Sequence, residues 1–288
     1  MPSNISIRSF AKLNLTLHIL GPRGDGYHEI DSIMQSISLH DILRITEIPQ
    51  GIKISCNDPA VPQGRGNIVY KAAETFFKLV EVSKGVEILL DKHIPVAAGL
   101  AGGSGNAAAT LFGLNLLFDT KISKVKLEFA AAGLGGDVPF CLTGGRARVR
   151  GKGDVIQPLS PMLDTWVVLV KPTFGVPVKL AYDEFDKLWA KREREKRTLP
   201  SPAAPAPSEV LFNDLEEGIF KKFPELPRIK ERLIKLGAVG AAMSGSGSAV
   251  FGIAKDKADA ERLVSEMKKS YKEVYLAETV DRGVEVIS

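Results

Sequence analysis

The sequence predicts an α+β protein of two domains, residues 1–157 and 158–288. Three observations carry that expectation. At 288 residues the chain is long enough for one large domain or two ordinary ones. Stretches with apolar residues on a period of two are interspersed with stretches on a helical period. A shift in composition near Pro158 to Pro161 separates two such series. With 44% hydrophobic and 25% charged residues, a core can form without disulfides or metals.

Taken in order, "ISIRSFAKLNLTLHIL" opens as a strand region, with Ile5, Ile7, Leu13, Leu15 and Leu17 on a period of two. "GPRGDGYHEI" interrupts it with glycines and a proline, as a loop between strands. "DSIMQSISLHDILRITEI" reads as two strands and "GIKISC" as another. "NIVYKAAETFFKLV" is helical, with Val69, Ala72, Ala73, Phe76 and Phe77 on one face and Asn67 as its cap. "GVEILLDKHI" is a strand, and Asn106 to Phe118 a buried helix on Ala107, Leu111, Leu114 and Phe118. "KVKLEFAAAGLGGDVPFCL" gives a short helix, a glycine turn and an aspartate, and "GGRARVRGKGDVIQPL" a hairpin. Beyond the boundary, "WVVLVKP" is a buried strand. The proline-rich Ser201–Ser208 segment reads as a mobile loop. A helix, a strand, the glycine loop "SGSGS", a strand, a helix and a final strand complete the pattern.

Several function classes are disfavoured. The net charge of +4 admits an anionic ligand but lacks the clustered basic face of a nucleic-acid binder. "KREREKR", Lys191 to Arg197, reads as a solvated helix end. The two cysteines, Cys56 and Cys141, fit no metal spacing and suit a reducing cytoplasm. The opening residues lack the apolar core of a signal peptide. Ile94 to Phe118 runs 25 residues without charge, but its proline and five glycines favour a loop and buried helix over a membrane span.

The most informative stretch is "PVAAGLAGGSGNAA", Pro95 to Ala108. Glycines let backbone N–H groups approach and point at a ligand, and a helix N-terminus adds partial positive charge, so together they suit an anion, usually phosphate. The bland alternative is a tight turn before a core helix. No lysine follows the last glycine, so this is not a Walker A loop. Gly145 to Gly151-Lys152 only approximates one. Nor does GxGxxG follow a strand as in dinucleotide-binding folds.

This stretch resembles the second motif of the GHMP kinases. "FAKLNLTLHILGPRGDGYHEI", "LGGDVPFCLTGG", "FNDLE" and "AAMSGSGSAVFGI" resemble further segments of one branch of that family, in order along most of the chain. The resemblance implies a ribosomal-S5-like N-terminal domain and a ferredoxin-like C-terminal domain. It also implies transfer of phosphate from ATP, with Mg²⁺, to a hydroxyl of methylerythritol linked to cytidine diphosphate. ATP would be wrapped by Pro95, Val96, Ala97, Ala98, Gly99, Leu100, Ala101, Gly102, Gly103, Ser104, Gly105 and Asn106, with Asn67 and Lys92 nearer the adenosine. Ser104 could reach the ion through Mg-ATP.

Asp137 is the implied catalytic carboxylate, though Val138-Pro139 also make it a helix N-cap. Lys12, in an apolar strand, needs an anionic partner, and the resemblance pairs it with Asp137. Asn14 faces the same side of the strand and either binds substrate or caps a backbone group. Tyr27 and His28 would read the cytosine, with Tyr182 covering its other face. A loop aromatic and a helix-face tyrosine are the alternatives. Gly245, Ser246 and Gly247 would approach the substrate phosphates.

Gly105 stands where many relatives carry a second serine, and Val178 where they often carry threonine. The competing functions are another kinase of the family acting on homoserine, mevalonate or a sugar, a catalytically silent ligand sensor, and a nucleic-acid binder. A monomer or weak homodimer, cytoplasmic and free of membrane or nucleic acid, is the expected state.

Overall fold

The computed structural model describes residues 3–162, 164–190 and 211–287. Both the basic cluster and the proline-rich loop read from the sequence lie outside them. The chain opens with a long hairpin of β1 (Asn4–Pro22) and β2 (His28–Ile48). Residues 31–48, read as two strands, form a single one. Register shifts between Phe10 and Ala11, Asn14 and Thr16, and Ile19 and Gly21 bend the hairpin without ending it.

β3 (Ile52–Cys56), α1 (Ile68–Leu79), β4 (Gly85–Asp91), α2 (Gly102–Leu117), α3 (Lys124–Leu134), α4 (Val138–Thr143), β5 (Arg146–Gly151) and β6 (Val155–Pro158) follow. Asn67 caps α1, its side chain accepting from Val69 N, and Val69, Ala72, Ala73 and Phe76 are buried as their period predicts. α2 is apolar all round and buried, as expected, but it begins at Gly102 rather than Asn106. Three glycines therefore form its first turns. None of the helices among the described residues is long and apolar enough to cross a membrane.

β7 (Trp166–Lys171), α5 (Val178–Trp189), β8 (Phe212–Asn213), α6 (Glu216–Lys222), α7 (Glu225–Lys235), β9 (Gly240–Met243), β10 (Val250–Ile253), α8 (Lys257–Lys268), β11 (Glu273–Glu278) and β12 (Val284–Val286) complete the chain. β7, β9, β10 and β11 form an antiparallel sheet in the order β11-β7-β10-β9. That is the fourth, first, third and second strand of a ferredoxin-like unit. The other sheet runs β12-β1-β2-β4-β3, with β5 on β2 and β6 on β5. Two later elements return to it: β8 pairs parallel with β1 at Thr16 and Leu17, and β12 pairs antiparallel with Ile7 to Ser9.

The second sheet is buried on both faces, which explains the unbroken apolar run of β7. Val168 and Val170 face the core under α5 to α8, whereas Val167 and Leu169 face a middle core shared with Leu13 and Leu15 of β1. Ile5 and Ile7 pack instead under α1 and α2. β1 thus passes through all three cores, because Leu17 and Ile19 reach the one beneath α5.

Candidate active site

A cavity of about 1050 Å³ opens between the two halves. Its floor is the connection from β4 to α2. Ile94, Ala98 and Leu100 sink into the middle core and hold this loop down. Ala97, Gly99 and Ala101 between them have left-handed φ angles of 54°, 75° and 54°. Such alternation turns backbone N–H groups toward one side, the geometry of an anion nest. The two alanines hold that conformation at a cost of about 1–2 kcal/mol each. α2 begins directly after the nest. No side chain caps it and its first turn holds no acidic residue, so its N–H groups and positive dipole end face the cavity at Gly102, Gly103 and Ser104.

The two residues expected nearer the adenosine, Asn67 and Lys92, both line the cavity, and their side chains also hold protein partners. Lys92 lines the cavity, but its Nζ lies 2.6 Å from Asp41 Oδ2, deep under α2. Asp41 Oδ1 also accepts from His93 N and Ile94 N, both at 2.8 Å, so this pair anchors the entry to the nest. The Asn67 amide caps α1 and donates to Pro62 O at 2.9 Å. The Gly105 departure has a local cause: a Cβ there would stand 2.5 Å from the buried Ser9 Oγ. Asn106 Oδ1 is buried, has no hydrogen-bond partner among the described residues, and borders the cavity.

Lys12 and Asn14 enter from β1, where the strand leaves the nest's flank. Lys12 N donates to Leu100 O at 3.1 Å, tying strand to nest. Lys12 Nζ is buried, donates to Asn14 Oδ1 at 2.5 Å and stands 3.7 Å from Asp137 Oδ2. Asn14 Nδ2 donates in turn to Ser32 Oγ at 2.8 Å. Asp137 precedes α4 as the N-cap, but its side chain makes no cap bond. The carboxylate is one-third exposed, 34%, toward the cavity, while its lysine partner is 4% exposed. The cap position and the ion pair coexist because capping of α4 leaves this carboxylate free.

The second glycine loop, Gly245 to Gly247, joins β9 to β10 and faces the nest. Ser244 Oγ donates to Gly99 O at 3.0 Å, and Ala249 N donates to Ala98 O at 3.1 Å. A Cβ on Gly245 would come within 3.1 Å of Lys12 Nζ. Asn213 of β8 holds this loop, donating to Met243 O at 2.8 Å and Gly245 O at 2.7 Å. Its motif, "FNDLE", is therefore a brace for the site rather than part of its lining.

At the far end His28, Tyr182 and Tyr27 line the wall. The His28 ring packs on Tyr182 at 4.7 Å, and its Nε2 lies 2.8 Å from Asp186 Oδ1. Burial, with the charge of Asp137 adding to it, pushes the Tyr182 hydroxyl well above the usual phenol range. Tyr27 is 52% exposed, and Lys152 Nζ stands 5.1 Å over its ring. Val178 opens α5 at the cavity edge, an exposed apolar side chain that offers no hydrogen bond there. Sequence reasoning passed over Lys152, Asp183 and Asp186. Lys152 was visible only as the lysine of a failed Walker pattern, and the α5 acids carry no signal without His28 beside them.

Among the described residues, no group of three or more His, Cys, Asp or Glu could hold a metal ion. A nest, an uncapped helix end and a lysine–carboxylate pair, set between two α+β halves, define a phosphotransferase acting on small molecules. Residues 67–145 match the GHMP kinases N terminal domain, and residues 203–273 match the GHMP kinases C terminal. The chain belongs to the GHMP kinases, a family that takes its phosphate from ATP.

It is 39% identical over 288 residues to the 4-diphosphocytidyl-2-C-methyl-D-erythritol kinase of Thermoanaerobacter pseudethanolicus, covering 98% of each chain. To the kinase of that name from Clostridioides difficile it is 40% identical, covering 98% of this chain and 97% of the relative. A crystal structure of 4-(cytidine 5'-diphospho)-2C-methyl-D-erythritol kinase superposes with a TM-score of 0.77 at 31% identity, covering 96% of this chain and 99% of that one. The homoserine kinase of Cytophaga hutchinsonii shares the fold, with a TM-score of 0.75 at 18% identity over 100% of this chain and 98% of its own.

Proposed function

We propose that this protein transfers the γ-phosphoryl group of ATP to the 2-hydroxyl of 4-diphosphocytidyl-2-C-methyl-D-erythritol, a step of non-mevalonate isoprenoid precursor synthesis. The observation that carries the reading is the position of Lys12 and Asp137. They sit between an anion nest at one end of the cavity and the His28–Tyr182 wall at the other. The names of the full-length relatives favour this acceptor over homoserine, mevalonate or a sugar.

In this reading the nest and the start of α2, from Pro95 to Asn106, cradle the triphosphate. Their N–H groups offset its charge without reorganising during the reaction. The rings of His28 and Tyr182, with Tyr27 at the rim, hold the base, and Lys152 faces the diphosphate. Gly245 to Gly247 close over the acceptor chain. Asp137 orients the hydroxyl and takes up its proton, while its oxygen bonds to the γ-phosphorus and the bond to the ADP oxygen breaks. Lys12, fixed by Asn14, keeps Asp137 aimed and faces the charge that develops on the transferred group. The Ser104 hydroxyl and the unpartnered Asn106 Oδ1 are hard oxygen donors that suit Mg²⁺ arriving with ATP. That ion would neutralise phosphate charge.

The test is ADP release with ATP and Mg²⁺, offered the cytidylyl substrate beside homoserine, mevalonate and galactose. Turnover should occur with the cytidylyl substrate alone and be lost in Asp137→Asn. Turnover with one of the other acceptors instead would overturn the substrate assignment. Full activity in Asp137→Asn would overturn the role of the carboxylate.

A further inference from the structure

Three residues of α5 close around one histidine. Tyr182, Phe185 and Asp186 stand at i, i+3 and i+4, on one face of the helix. Tyr182 packs against the His28 ring at 4.7 Å with the planes tilted by 33°, Phe185 meets it edge-on at 6.4 Å, and Asp186 Oδ1 lies 2.8 Å from Nε2. The ring is thereby fixed in plane and in rotation. Its neighbour acid, Asp183, also lines the cavity but is held by Lys179 at 2.8 Å, one turn away on the solvent side.

A carboxylate can only accept. Nε2 of the neutral ring must therefore carry the proton, which leaves Nδ1 with a bare lone pair. Among the described residues no hydrogen bond occupies Nδ1, and His28 lines the cavity. We propose that Asp186 is a positioning residue that sets base specificity. By fixing the Nε2–H form of His28, it makes Nδ1 an acceptor. An acceptor there matches the exocyclic amino group of cytosine and opposes the carbonyl oxygen that uracil carries at the same place. The proposal rests on the cytidylyl reading above and adds to it the residue that excludes uracil.

The physical argument is one of mismatch. A donor–acceptor pair contributes modestly, but two acceptors facing each other in a half-buried wall leave both unpaired, which costs more than a missing bond. Without Asp186 the ring can flip its proton to Nδ1 and greet uracil equally well. The preference is thus stored on α5 rather than in the substrate-facing atom itself.

The experiment uses the full chain and three readouts. Nitrogen-15 spectra of the histidines report the tautomer of His28. Calorimetry gives the affinities for cytidine diphosphate and uridine diphosphate. Steady-state kinetics with the cytidylyl substrate separates KM from kcat. The native protein should show a pyrrole-type Nε2 and a pyridine-type Nδ1 and prefer cytidine diphosphate. Asp186→Ala should mix the tautomers and weaken cytidine diphosphate by about twofold, the factor by which an even mixture dilutes the binding-competent ring. Uridine diphosphate should not weaken, and the loss should fall on KM rather than kcat. Asp186→Asn, whose amide either accepts from Nε2–H or flips and donates to a bare Nε2, should fall between the native protein and Asp186→Ala in preference, which a merely structural role would not predict. A proton on Nδ1 in the native protein would overturn the proposal, as would an unchanged cytidine-to-uridine ratio in Asp186→Ala. Failure of the native protein to bind either diphosphate would instead sink the cytidylyl reading, and the selection with it.

Discussion

Gly99→Ala tests the contact on which the site depends, the meeting of the two glycine loops. Gly99 has a φ of 75°, and a Cβ there would overlap the Ser244 carbonyl oxygen and stand 3.0 Å from Gly247 N. Carbon and oxygen approach no closer than about 3.3 Å, so the loops must part by about 1 Å. An alanine in the left-handed region costs about 1–2 kcal/mol. Parting also strains the bonds from Ser244 Oγ to Gly99 O and from Ala249 N to Ala98 O, at about 1 kcal/mol each. The sum, about 3–4 kcal/mol, should lower the thermal midpoint of a chain of this length by roughly 5–7 °C. The nest and the Gly245 loop flank Lys12, so a displacement of this size should lower kcat/KM for ATP by about a hundredfold. Gly133→Ala is the control. Gly133 lies in α3 with nothing within 4 Å of its added methyl, so helix propensity should raise stability slightly and leave kinetics alone. A Gly99→Ala enzyme with native midpoint and native kcat/KM would refute the account of the loop contact. A lowered midpoint with native kinetics would refute its link to catalysis.

Two further outcomes follow from the same geometry. Lys12→Met should lower kcat by about 10²–10³-fold, the usual loss on removing one charge-stabilising donor. Lys12→Arg should not rescue it, because the planar guanidinium has no room where Nζ lies this close to Gly245. Single-turnover phosphate transfer checks both, and a fully active arginine variant would contradict the packing. A thiol reagent at about pH 8 should find Cys56 slowly and Cys141 only after unfolding. Burial pushes both thiols up, so less thiolate is present at any pH below the raised value, and Cys141 is a fully buried residue of α4 facing the core. Rapid labelling of Cys141 in the native protein would show that α4 opens.

Much of the fold was legible because its signals are local. The period of α1, its Asn67 cap and the apolar run of β7 each follow from residues near one another in the chain. The errors are where tertiary packing decides. β2 continues through residues whose pattern breaks, because bulges and partners on both sides carry it. β12 has three residues, too short to show a period, and exists only because Ile7 to Ser9 offer it an edge. α2 begins within its glycines because the nest supplies the turn that a capping side chain supplies elsewhere.

The site divides in the same way, and β1 shows why. A strand alternates cleanly only when one face is wet. Here Lys12, Asn14 and Thr16 are as buried as Leu13 and Leu15, so the alternation of side chains does not separate inside from outside. It separates an apolar face against the middle core from a polar face on which Lys12 and Asn14 reach the cavity, while the Thr16 hydroxyl accepts from Ile33 N of β2. Burying a lysine and an asparagine is costly unless each is answered by a partner. Asn14, Ser32 and Asp137 answer them, and they come from β1 itself, β2 and the turn before α4. Polar residues at every second place in a strand otherwise too apolar to face water are therefore a readable mark of a site. Their partners are not readable in the same way, since Ser32 and Asp186 are ordinary polar residues in ordinary places until the fold brings Asn14 and His28 against them.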